Sequence, residues 1–176
     1  MTNSRTGEIR PLRRCSVGLL FSVLLLALPA SQAQAFGEER NIAWHVGFDD
    51  PSQFSSMLGS INSMVEAYEN RLIDYDIRLV FRAQGIRFVT DDNLEGSPFE
   101  VDPDGEFAEE REELRSRLMQ LVNMHDVSLE LCDSTRAAVG LDMDAFYQPI
   151  ERVDSGIVQL GDLHHDGYAV MHAYRN

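Results

Sequence analysis

The sequence contains no lysine: all 15 basic residues are arginine, set against 29 acidic ones in 176 residues. Lysine Schiff-base chemistry and a P-loop lysine are therefore excluded. A formal net charge of −14 leaves no basic surface, so nucleic acid and anionic lipid would be repelled rather than bound. With only 2 cysteines the chain is no disulfide-stapled miniprotein, and with 44% hydrophobic residues it is no disordered polymer. Neither G-x-G-x-x-G, G-x-x-x-x-G-K-[ST] nor G-x-S-x-G occurs, so nucleotide-binding and serine-hydrolase readings lack their motifs.

What is present begins with a leader. Arg5, Arg10, Arg13 and Arg14 precede an apolar run from Val17 to Leu28, followed by Pro29 and small residues. That is the three-part pattern of a secretory signal, and Ala33-Gln34-Ala35 supplies the small-x-small cleavage site. The run is about a dozen residues where a membrane span needs roughly 20. Residues 1–35 are thus expected to be a signal peptide cleaved after Ala35. The mature chain, 36–176, is expected to be periplasmic or secreted and free of the membrane, with Arg13-Arg14 leaving the twin-arginine route open beside the general one. Cleavage removes four Arg and one Glu from 15 basic and 29 acidic residues, which leaves 11 and 28 and a net charge of −17 over 141 residues. It also removes Cys15 and leaves Cys132 as the single thiol. An intramolecular disulfide is then impossible, and the thiol is buried and inert, paired between chains, or chemically used.

The mature chain alternates strand and helix signals. Asn41–Val46 is a short apolar run, and Asp50-Pro51 is an N-cap followed by proline at the first helical position. Phe54, Met57, Leu58, Ile61, Met64, Val65 and Tyr68 then recur at helical spacing. Asp76–Phe81 predicts a second strand, broken at Gln84-Gly85, with a short helix at 86–89. Residues 92–106 have no period and form an expected exposed acidic loop. A helix from Phe107 carries Leu114, Leu118, Leu121, Val122 and His125 on one face, with Glu113 and Arg117 among the charges outside. Val127–Leu131 predicts a third strand ending at Cys132, before a short helix near Arg136 that stops at Gly140. One or two helical turns over 141–147, a strand remnant at Val153, a helix over 156–166 and a strand over 168–172 complete the chain. This is a single α/β domain: a parallel-sheet sandwich with helices on both faces.

Ligands of parallel sheets gather at the carboxyl ends of the strands. His45, Arg82 and Cys132 fall there. A helix start and Arg136 favour the Cys132 thiolate, whereas Glu130, about 7 Å back along the same strand face, opposes it. His164, His165, Asp166 and His172 suggest a metal, but adjacent helical histidines point about 100° apart, so no metal or cofactor is expected.

The segments NIAWHV, the helix with Asn62, LVFRAQG ending at Gly85, VSLELCDST around Cys132 and VDSGIVQLGDLHHDGYAVM keep one order and spacing. In this the chain resembles the exported branch of the DsrE/DsrF-like sulfur-relay family from Asn41 to about Met171. The resemblance implies a three-layer, flavodoxin-like fold that assembles into homo-oligomers, often trimers or hexamers. It places the persulfide-carrying role on Cys132, with Thr135 completing C-x-x-T. Where the family commonly shows H-G-x-G, this chain has Arg82-Ala83-Gln84-Gly85. The expected activity is sulfurtransferase-like, with Cys132 passing sulfane sulfur to a thiol of a partner protein and His45, Arg82 and Arg136 supporting the charge. A second reading is a small-molecule-binding or assembly module in which Cys132 is merely packed.

Overall fold

The computed structural model describes residues 39–174, so the leader, Cys15 and the cleavage site after Ala35 lie outside the described residues. Five strands form one sheet: β1 (Arg40–Val46), β2 (Tyr75–Phe81), β3 (Val127–Cys132), β4 (Glu151–Val153) and β5 (Ala169–His172). Their order is β4-β3-β2-β1-β5, and every pairing is parallel. The helices are α1 (Pro51–Glu69), α2 (Glu106–Met124), α3 (Asp133–Val139) and α4 (Gly156–His165), with short 3-10 turns at Ala83–Val89 and Met143–Ala145. Among the described residues no helix is long and apolar enough to cross a membrane.

Local chemistry accounts for α1. The Asp50 carboxylate accepts from the Gln53 N–H at 3.0 Å, Pro51 opens the helix, and Phe54, Met57, Leu58, Ile61 and Val65 form its buried stripe. α1 and α2 cover one sheet face, where Ile42, Trp44 and Val46, Ile77, Leu79 and Phe81, and Leu129 and Leu131 form the main core. Phe54 stacks on Phe88 with centroids 4.1 Å apart, which closes the core at the Ala83–Val89 turn. The other face has a small apolar patch of Ala43, Val80, Leu160 and Leu163 beneath α4. The chain steps outward from β1 to β4 and then returns to lie beside β1. Because crossovers keep one hand, reversing the direction moves the connecting helix to the opposite face, which puts α4 there.

Three local departures have simple causes. α3 starts at Asp133, three residues before Arg136, because Cys132 itself is extended (φ −63°, ψ 115°) and occupies the N-cap position. The turn after β2 starts at Ala83, not at Ile86, following an extended Arg82. The acidic stretch has no helix or strand through Gly105, but it is anchored: Leu94 and Val101 are buried, and the Val101 N–H donates to the Asn93 carbonyl at 2.8 Å.

Candidate functional site

Strand register decides which residues meet. His45 pairs with Val80 and with His172, Val80 pairs with Glu130, and Phe81 pairs with Leu131. Arg82 therefore follows its strand at the level of Cys132, about 5 Å across the sheet, on the same face as His45 and His172. This is the α4 face at the carboxyl ends of the strands. α4 begins against it: a Cβ on Gly156 would lie 3.2 Å from the Cys132 Cβ and 3.3 Å from the Arg82 Cβ. The absence of that atom lets the helix start pack between the two side chains.

Cys132 is 3% exposed, and burial pushes its thiol up. Hydrogen bonds to the sulfur act the other way: from the Ser134 hydroxyl at 3.0 Å, the Gly156 N–H, and the hydroxyl and N–H of Thr135. Together they outweigh burial and bring the thiol from its usual 9.0 to about 7. The Thr135 oxygen also accepts the Ala83 N–H at 3.0 Å, which frees its proton for the sulfur and ties α3 to the end of β2. Ten-residue α4 adds the positive end of its dipole through Gly156.

At the same strand ends a chain of nitrogen contacts runs from Arg82 across β1 to β5. Arg82 Nη1 lies 3.3 Å from His45 Nε2, and His45 Nδ1 lies 3.2 Å from His172 Nδ1. Arginine has no acceptor, so His45 Nε2 must accept, its proton sits on Nδ1, and that proton is donated to His172. Burial, then Arg82, then His172 hold the His45 imidazole below its usual 6.5, in keeping with a neutral ring. The two rings meet edge to face, centroids 5.2 Å apart.

The remaining sequence candidates lie elsewhere. Gly85 is a packing glycine: a Cβ there would stand 2.2 Å from the Val46 carbonyl oxygen, the same atom that accepts the Arg82 N–H. Arg136 does not serve the sulfur as expected, since it donates to Asp133 at 2.7 Å and to the Leu141 carbonyl within its own helix and turn. Glu130 does share the strand face, yet it turns to Arg78 at 3.2 Å, and its charge is not among the causes that set the thiol. His164 and His165 are exposed on the last turn of α4, and among the described residues no three His, Cys, Asp or Glu side chains converge on a metal. Sequence reasoning missed Ser134 and Gly156 as sulfur donors and His172 as the partner of His45. Ser134, two residues after the cysteine, was the one legible signal.

A family model described as DsrE/DsrF-like matches residues 51–173, starting after β1. Among solved structures, the chain is similar to a protein of unknown function from Methanobacterium thermoautotrophicum at 17% identity and TM-score 0.56. That match covers 77% of this chain and 98% of the other, and at this identity it concerns the fold alone. No curated protein matches the chain. The family match over most of the domain, on a parallel α/β sandwich, places the chain in the DsrE/DsrF-like family.

Proposed function

We propose that the protein is an exported persulfide carrier of the sulfur-relay type, in which the Cys132 thiolate accepts sulfane sulfur and passes it to a thiol of a partner protein. The observation that carries this reading is the set of donors from Ser134, Gly156 and Thr135 around one sulfur, with its thiol at about 7. A thiol lowered in this way holds more thiolate, the form that attacks sulfur, than a free cysteine does at neutral pH. The same donors would stabilise the anionic outer sulfur of a persulfide. No cofactor is needed for this exchange, and assembly into a homotrimer or homohexamer belongs to the proposal.

One observation favours a second reading: Cys132 is 3% exposed, which suits a packed thiol in a binding or assembly module. Alkylation of the purified protein as a function of pH, followed by intact mass with a polysulfide-treated sample alongside, separates the two. The relay predicts labelling of the folded protein with a midpoint near 7 and a gain of sulfur mass. Labelling only after unfolding would leave the packed-thiol reading.

A further inference from the structure

Arg82 is a cation without a carboxylate partner among the described residues, in a chain with 29 acidic side chains. Among the described residues its side chain bonds only the His45 ring, through one Nη1 contact at 3.3 Å. A guanidinium has five N–H donors in a planar fork. One is engaged by His45, and the other four have no hydrogen-bond partner among the described residues. Half-burial of both Arg82 and His45 strengthens any charge-assisted bond made there.

The neighbours keep that charge in place. His45 must accept from Arg82, so it adds no second charge and orients the fork, and His172 in turn fixes the His45 ring. On the other side Gly156 stands against both the Arg82 Cβ and the Cys132 Cβ, which sets the stems of the two side chains side by side at the start of α4.

We infer that Arg82, positioned by His45 and His172, is an oxyanion subsite beside Cys132 that holds the sulfonate end of a small anionic sulfur donor of the thiosulfate class. This rests on the persulfide reading of Cys132 and names the donor. The Cys132 thiolate attacks the outer sulfur of thiosulfate, a new S–S bond forms at Cys132, and the original S–S bond breaks. Its electron pair leaves with sulfite, the enzyme sulfur becomes the persulfide anion, and no further oxidant, reductant or proton is required. Arg82 meets the oxygens on which the leaving charge settles.

The test loads the protein separately with thiosulfate and with polysulfide, which has no oxyanion, and follows Cys132 by intact mass and released sulfite by assay. Wild type is expected to gain one sulfur from either donor, with one sulfite per sulfur taken from thiosulfate. Arg82→Gln is expected to raise the thiosulfate concentration for half-loading about tenfold beyond any change it makes to polysulfide loading, and Arg82→Lys to recover most of that difference. Sulfate, which has no transferable sulfur, is expected to slow alkylation of wild-type Cys132 where chloride at equal ionic strength does not, a readout that depends on no variant folding. Sulfur uptake from polysulfide but not from thiosulfate, equal thiosulfate loading by Arg82→Gln, or no protection by sulfate overturns the subsite and leaves the relay standing. Uptake from neither donor overturns the relay itself and the subsite with it.

Discussion

At the scale of single residues the thiol is set by small groups rather than by charges. Thr135 joins two roles, since its oxygen accepts the Ala83 N–H and its proton goes to the sulfur. Thr135→Val keeps the shape and removes both. The Ala83 donor is then left without its partner, which costs roughly 1–3 kcal/mol in a denaturant melt. The alkylation midpoint of Cys132 should rise from about 7 toward the free-thiol value, and Thr135→Ser should restore most of both effects. A restored fold with an unrestored midpoint would show that the hydroxyl does not reach the sulfur. Gly156→Ala tests the other wall. Its Cβ would press on Cys132 at 3.2 Å and on Arg82 at 3.3 Å, both near-backbone atoms that yield little. The α4 start should shift off the sulfur, raising the midpoint again at a cost of about 1–2 kcal/mol in stability. An unchanged midpoint would take the Gly156 N–H out of the account. Cys132, Arg82 and His45 were legible in the sequence because each ends an apolar strand. Gly156 and His172 were not, because Gly156 enters the site only through the placement of the α4 start and His172 only through the register of the edge strand β5.

At the scale of elements, α4 rests on a small apolar patch through Leu160 and Leu163. Its sheet face offers Ala43 and Val80, and beside them a polar group in which Arg78 bonds Asp76 at 3.0 Å and Glu130 at 3.2 Å, while the Tyr168 hydroxyl donates to Asp76 at 2.6 Å. Glu130 is 1% exposed and its Oε2 has no hydrogen-bond partner. Burial raises its carboxyl above the usual 4.5, against opposing bonds from Gln159 and Arg78. A carboxyl raised in the fold contributes stability that is complete below 4.5 and lost as pH climbs through the folded value, because the unfolded chain ionises first. Glu130→Gln removes that dependence. Urea melts across pH 4 to 8 should show a flatter profile for the variant and a gain of about 1 kcal/mol at the upper end. A steeper loss would mean that the Arg78 ion pair outweighs burial. The elements themselves followed sequence signals closely where an apolar stripe was long, as in α1 and α2. Boundaries failed where one backbone angle decided them: extended Cys132 starts α3 early, and Ala83, at φ 47°, opens its turn directly after Arg82.

At the scale of the whole molecule, the parallel sandwich was readable from alternating strand and helix signals, but its asymmetry was not. Strand order depends on which edge the last strand joins, and nothing local in Ala169–His172 encodes a place beside β1. The charge, in contrast, is fully legible and acts on the molecule as a unit. Residues 36–176 carry 28 acidic against 11 basic side chains, a net −17. The described ion pairs include Arg115 with Asp91 at 2.7 Å and Arg117 with Glu113 at 3.9 Å, too few to balance that excess. Acidic groups on α2 and the stretch before it therefore repel one another across the surface, and the folded state concentrates what the unfolded chain spreads out. Exposed charges are screened over about 10 Å at 0.1 M salt and about 3 Å at 1 M. Raising sodium chloride from low millimolar to about 0.5 M should then stabilise the protein by about 1 kcal/mol, or roughly 3–6 °C in Tm. Chloride is the right anion for this measurement, because sulfate stabilises folded proteins generally and would also occupy an Arg82 subsite. A Tm that falls with chloride would mean that the surface ion pairs, weakened by the same screening, outweigh the net repulsion of the acidic excess.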